Sequence, residues 1–451
     1  MTFMLVFILF CMILFFYLLF DRNILSPTVI GTSMFFVSSL FAFLYSEKWH
    51  TDISVNTLLI IITSIMAMGA GEFLIHIMCY KRTQFVTFNT KNDKPIFVKK
   101  STVYFIVLIF SLLLLNYYKE TVRIATEAGY KKGGDMLMLF YARIAVLNEK
   151  GLYSGRNRLA SISFNLLRSL SYLFTYIFLY NKIILKQKKI IYQIFPVLLF
   201  IPYLILTTGR TEFIYMITIW IIIGSVFFMQ TKSWNPRYTG KIVIIGIVGI
   251  GIFLLFFIIA GSFKSNKLTE HAFDSIAFYT GLSIPSLDSY FTKDYPDNSL
   301  FGEHTLYGIY YILRKFRFSI PKLYQPFEFA TFHNVRGNVF TVIRRYHQDF
   351  GFFGLYFMMF FLGFFYSFLF LKFNKTRRNM GLLFYASILS PIVEMSIEER
   401  FFMFIVSVST LYSFLYMYIF FRIFVNKPKH FYNVIFKPAF ENTEVQKNEI
   451  S

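Results

Sequence analysis

The sequence predicts an all-α polytopic membrane protein with about eleven transmembrane helices and a large extracytoplasmic loop domain. Three observations predict it. Of its 451 residues, 56% are hydrophobic and 21% aromatic. Only 15% are charged, against roughly 25% in soluble domains. Uncharged runs long enough to cross a hydrocarbon core of about 30 Å recur along the whole chain.

The runs fall at 2–20, 24–45, 55–79, 101–118, 161–180, 190–208, 212–230, 242–261, 351–371, 380–396 and 401–421. The first has no basic segment before Phe3 and is longer than the apolar core of a secretory signal, so it reads as a retained span. Cys11 and Cys79 both fall in spans, away from any wet, oxidising loop. No disulfide, zinc site or thiol chemistry is expected from them.

The loops between the runs set the orientation. Loops 80–100, 181–189, 231–241 and 372–379 are rich in Lys and Arg and alternate with the spans so that all four fall on one side. Basic residues beside short loops stay in the cytoplasm, which places the N-terminus outside and the C-terminal tail inside. A net charge of +21 would suggest nucleic acid in a soluble chain. Here most of the excess lies in these loops and in the tail, where it fixes topology, so no nucleic-acid partner is expected.

The chain then divides into N-terminal spans (1–118), a first extracytoplasmic segment (119–160), central spans (161–261), a large extracytoplasmic loop (262–350), C-terminal spans (351–421) and a cytoplasmic tail (422–451). Within the first outer segment, 135–148 reads as a helix lying near the membrane interface. The second mixes Pro285, Pro296, Pro321 and Pro326 with tyrosines such as Tyr279, Tyr290, Tyr307 and Tyr311, and is expected to fold as a cap. No internal repeat relates the two halves, which weighs against an inverted-repeat transporter. No GxxxxGK[ST], HExxH or CxxC is present, so nucleotide hydrolysis and zinc chemistry have no motif.

Two stretches carry candidate chemistry. The turn Thr207-Thr208-Gly209-Arg210-Thr211-Glu212 places an arginine at the mouth of two apolar spans, beside a glycine that lets backbone approach a ligand. The guanidinium fork of Arg210 suits a phosphate; the alternative is that it pairs with Glu212. The stretch from His333 to Gly351 holds Arg336, Asn338, Arg344, Arg345, His347 and Asp349. If 338–349 is helical, Arg344 and His347 share one face and Arg345 and Asp349 another. One pair would present a cation and a proton acceptor while the other braces the turn; the plainer reading is two arginines anchoring the ninth span. His304 is a weaker third histidine. Arg123, Arg143, Arg156 and Arg158 would complete an electropositive chamber, with Arg143 inside an otherwise apolar helix. Glu72 and His76, four apart, suggest structural pairing, Arg168 a place on the chamber floor, and Glu394 an isolated charge.

The Thr208-Gly209-Arg210-Thr211 turn, the large outer loop closing on Asn338-Val339-Phe340-Thr341, and Asp349-Phe350-Gly351-x-x-Gly354 leading into an apolar span together resemble the Wzy-type oligosaccharide repeat-unit polymerases of bacterial O-antigen and capsule. The resemblance implies a GT-C-like glycosyltransferase at the outer face of the plasma membrane. Its substrate would be an oligosaccharide linked to undecaprenyl diphosphate, with no cofactor, nucleotide sugar or essential metal, and with a chain-length regulator and a flippase as partners. His333-Asn334 is similar to a His-Asn pair in the related O-antigen ligases. On this reading Arg210 and Arg336, with Arg344 or Arg345, hold the diphosphate, and His333 or His347 assists the attacking hydroxyl. Arg143, Asn338 and Asp349 complete the substrate site. A lipid-linked oligosaccharide flippase and a polysaccharide O-acyltransferase are the alternatives.

Overall fold

The computed structural model describes residues 1–79, 94–131, 137–147, 156–209, 211–262, 272–292, 300–320, 329–333, 335–374 and 377–426. Its described residues are mostly helical, with one short hairpin as the only sheet among them. The N-terminal helices are α1 (Thr2–Leu19), α2 (Pro27–Leu44), the single turn α3 (Ser46–Trp49) and α4 (Val55–Cys79). They are followed by α5 (Lys100–Glu127), α6 (Leu137–Leu147), α7 (Arg158–Leu179), α8 (Phe195–Leu206), α9 (Thr211–Thr231) and α10 (Thr239–Ser262). Then come α11 (Ala272–Gly281), α12 (Ser283–Phe291) and α13 (Tyr307–Lys315), and a hairpin of β1 (Ala330–Phe332) and β2 (Val335–Gly337). The chain closes with α14 (Val342–Phe373), α15 (Met380–Ile388), α16 (Ser390–Glu394), α17 (Phe401–Ile405) and α18 (Val408–Phe424).

Among the described residues, seven helical stretches are long and apolar enough to cross a membrane: α1, α2, α4, α5, Arg158–Ile184, α9 and α14. Ile191–Leu206, Met380–Glu394 and Val408–Phe424 are shorter apolar helices on three further predicted runs, and α10 covers the run at 242–261. Several starts are written in the sequence. Ser26 accepts from Val29 N with Pro27 in the first turn of α2, and Asn157, Asn379 and Ser407 cap α7, α15 and α18 with their side chains. The last two predicted spans are broken rather than continuous, at 389 and around 406–407. The helix expected over 338–349 begins only at Val342.

Among the described residues the core is a large apolar cluster running through most of the bundle, with two smaller ones, between α5 and α6 and around Trp49, Ala277, Leu282 and Val339. At its centre α4 and α14 meet backbone to backbone. A Cβ on Gly71 would stand 2.0 Å from Phe360 O, and one on Gly363 1.9 Å from Met68 O, so only glycine fits either position. Glu72, buried beside this contact, accepts from Thr28 N at 2.9 Å and so caps α2, while His76 lies 3.5 Å from Asp21. Both groups serve structure, as expected, but with separate partners.

The described parts of the basic loops gather at one end of the bundle. Asn181 Nδ2 donates to Ile96 O at 2.9 Å, Gln230 Nε2 to Asn374 O at 2.7 Å, and Arg378 to Lys94 O. The opposite, distal end carries α3, α6, α11–α13, the hairpin and the turns at 207–209 and 395–400. There α11 and α12 do not stand off as a cap. A Cβ on Gly281 would lie 2.8 Å from Ala42 N of α2, and Leu282 to Leu287 are all buried. The hairpin is antiparallel, pairing Ala330 with Gly337 and Phe332 with Val335, and rests on Phe278 and Leu282.

Candidate functional site

A cleft of about 1190 Å³ opens at the distal end between α7, α9, α13 and α18. Its first wall is set by the chain entering α7. Arg156 donates to Thr121 Oγ1 and to Leu206 O, both at 2.9 Å, and lies over the Tyr117 ring at 4.2 Å. Asn157 holds the helix start, its backbone N bonded to Glu120 at 3.1 Å and its side chain accepting from Ala160 N at 2.7 Å. Arg158 follows as the first helical residue, exposed and lining the cleft. A cation in a helix's first turn opposes the macrodipole, so this position is one that an anion in the cleft would relieve.

The second wall is the turn between α8 and α9. Thr207 Oγ1 donates to Leu204 O at 2.7 Å and accepts from Gly209 N at 3.3 Å. Thr208 takes the left-handed conformation, φ 62°, a strained choice for a β-branched residue. Gly209, Thr211 and Glu212 line the cleft. Arg210 lies outside the described residues.

Below the turn, Arg168 is almost fully buried and paired. It meets Glu212 Oε1 at 3.0 Å, Asn165 Oδ1 at 3.2 Å, Ser409 O at 3.1 Å, and Ser413 Oγ at 2.6 and 3.0 Å from two of its nitrogens. This corrects one expectation: Arg168 does not line the floor but clamps α7, α9 and α18 together beneath it, with Glu212 as its partner; the Arg210–Glu212 alternative lies outside the described residues. The void under it is about 10 Å³, room for one water. The remaining walls are aromatic. Tyr412 and Tyr416 stack along α18 with centroids 6.2 Å apart, and Tyr307, Tyr311 and Lys315 of α13 also line the space.

The other predicted stretch is built differently. His333 sits in the hairpin turn with φ 31°, exposed, its ring edge-on to His50 at 4.5 Å. Arg336 is exposed over Phe329 at 4.2 Å, and Asn338 is exposed. Arg344 is fully buried over Phe340 at 3.9 Å and Tyr290 at 5.4 Å. His347 bonds the same tyrosine, Nδ1 to the hydroxyl at 2.9 Å, and is packed by Phe291 and Phe352. Arg344 and His347 thus share a face as expected, but that face is filled by rings. Arg345 bonds Gln348 at 3.3 Å rather than Asp349. Asp349 instead accepts from His304 N and Thr305 N at 3.2 and 2.5 Å, fixing the segment that leads into α13. None of these residues is in the described lining of the cleft.

Between the two lies a belt of charge at 394–400 that the sequence reading passed over. Glu394, read as isolated, lies 3.9 Å from Arg400, which also pairs with Glu398. Arg345 and Arg143, two of the predicted arginines, make no ion pair with this belt among the described residues. Glu399 is fully buried, accepts from Phe402 N at 2.9 Å, and is pushed up to about 7 by burial. Burial, with Arg345 adding to it and Asp349 opposing, holds the His304 imidazole below its ordinary range.

The α18 wall had a readable signal. Ser409, Tyr412, Ser413 and Tyr416 recur at helical spacing on one face of an apolar run. Lys315 had no signal beyond its charge. Comparison of this chain with known protein families, with curated proteins and with solved structures gives no match.

Proposed function

We propose that this chain is a Wzy-type oligosaccharide repeat-unit polymerase. In this reading it is an eleven-span, GT-C-like glycosyltransferase of the bacterial plasma membrane with its distal end outside. The single observation that carries it is the cleft: about 1190 Å³ at the end opposite the basic loops, lined by arginines on one side and tyrosines on the other. A diphospholipid keeps its tails in the bilayer and presents its head group at this depth. Arg158 and Lys315, with Arg210 at the turn, offset the charge of the departing diphosphate, and Arg156 is the positioning residue that ties α5, α7 and α8 together.

The reaction joins an acceptor sugar hydroxyl to the anomeric carbon of the donor glycan as the bond from that carbon to the diphosphate oxygen breaks. Undecaprenyl diphosphate leaves with the bonding pair. In the described lining the hydroxyl proton has one carboxylate to move to, Glu212. The tyrosines offer ring faces to sugars. A flippase is less well supported, because the described floor closes on the Arg168 clamp with space for one water below it.

The test is complementation of a strain lacking the gene, read as a polysaccharide ladder on a gel. Loss of long polymer with single-repeat-capped acceptor is expected from the deletion. Arg158→Ala and Arg210→Ala should each reduce long chains by at least about tenfold, while His333→Ala keeps the ladder. Full-length polymer from both arginine variants sinks the assignment. Unflipped carrier in the deletion favours the flippase, and unchanged length with lost acetyl groups the acyltransferase.

A further inference from the structure

We infer that α13 and the turn that ends it form a membrane-surface paddle whose exposed aromatics and cations engage the anionic phospholipid surface of the leaflet beside the cleft. No residue of α13 is buried. It touches the bundle at Gly308, where a Cβ would meet Phe402 O and Val406 at 3.5 and 3.8 Å. That contact is at the start of the last predicted span, so α13 lies at the level of the membrane edge.

The sequence Arg314-Lys315-Phe316-Arg317-Phe318 interleaves cations with rings. Phe316 is 74% exposed, Phe318 59% and the neighbouring Phe301 73%. Such rings cost free energy in water and gain it at a lipid interface. Among the described residues Arg314, Lys315 and Arg317 make no ion pair; Arg314 and Lys315 lie only over the Tyr311 ring, at 5.9 and 5.0 Å. Three cations without acids complement a negatively charged surface.

The backbone holds this arrangement in place. Arg317 N bonds Arg314 O at 3.0 Å and Phe318 N bonds Leu313 O at 3.3 Å, a Schellman closure with Arg317 at φ 65°. Glycine is usual at that position and arginine is strained there. The turn fixes where both phenylalanines leave the helix. Surface continuity identifies lipid as the occupant: Tyr311 shares the cleft with Tyr412 of α18, whose neighbours Leu411 and Leu415 are about half exposed on an apolar helix. Lipid contact by α13 requires the fold alone, not the polymerase activity. Its consequence for the cleft is that one wall, Tyr307 to Lys315, is held by the bilayer as well as by its contact with the bundle at Gly308.

The test uses the full chain carrying Cys11→Ser and Cys79→Ser, with an environment-sensitive fluorophore on Phe316→Cys or, separately, Phe318→Cys. Each labelled protein is placed in nanodiscs of phosphatidylcholine, with or without phosphatidylglycerol, containing lipid spin-labelled near the head group. Quenching of at least about twofold relative to discs without spin label is expected at both sites. It should be stronger with phosphatidylglycerol, and that increment should vanish when Arg314, Lys315 and Arg317 are all changed to Glu. Unquenched, water-like emission at both sites overturns the proposal. Blue-shifted but unquenched emission overturns it in favour of a protein contact. Equal quenching with and without phosphatidylglycerol overturns the role of the cations.

Discussion

The turn at 207–212 and the stretch from His333 to Gly351 are both polar, arginine-bearing segments at the distal end of the bundle, and they are built to opposite plans. The first borders open space: Gly209, Thr211 and Glu212 face a cleft with Arg158 on a neighbouring wall. The second is exposed at His333, Arg336 and Asn338 but filled from Arg344 onward. Arg344 is covered by Phe340 and Tyr290, His347 by Tyr290, Phe291 and Phe352, and Asp349 is spent on the backbone of His304 and Thr305. Arg344 over a ring and Arg158 beside a void are the same residue type in a sequence. What separates them is whether neighbouring helices close over them, which depends on packing between segments far apart in the chain.

That contrast gives three ways to break it. The largest expected effect is beneath the cleft. Arg168→Ala leaves Glu212 without its cation at the buried clamp and should cost about 3–5 kcal/mol, read as loss of thermal stability in detergent. Arg168→Met combined with Glu212→Gln should cost clearly less than the sum of the two single changes, since the pair acts as a unit. Additive costs would show that the clamp holds nothing together. Next is the filled region. Gly351 breaks α14 with φ 64° and ψ −168°, a conformation nearly closed to other residues, so Gly351→Ala should cost about 1–3 kcal/mol by the same measurement. A neutral Gly351→Ala would mean that the kink does not aim Asp349 at the segment feeding α13.

The smallest effect is a pH dependence at the belt between the regions. Burial raises the Glu399 pKa from the ordinary 4.5 to about 7. Its contribution to stability is therefore fully present below the unfolded value and is lost as pH rises through about 7. Melting temperature should fall by a few degrees between pH 5 and 8 in the native chain, a range set by that shift. Glu399→Gln should flatten that portion of the curve. An unchanged slope would assign the pH dependence to other groups.

The helical runs were legible because a lipid-crossing helix advertises itself by length and lack of charge, with no reference to any other segment. Capping at Ser26-Pro27 and Asn157 was equally local. The gathering of the basic loops followed from alternation alone. The cleft was half legible: the 207–212 turn and Arg156 and Arg158 stood out by type, whereas Lys315 and the Ser409–Tyr416 face became part of a site only through contacts between distant helices. The belt at 394–400 escaped because Glu394 looked alone until the chain turned back and brought Arg400 beside it.

The glycine contact between α4 and α14 bears on how the molecule moves. With Gly71 and Gly363 set against opposing carbonyls, the two helices have no side chain between them to act as a bearing. Any roll or slide would drive backbone into backbone, so this seam is the fixed post of the structure.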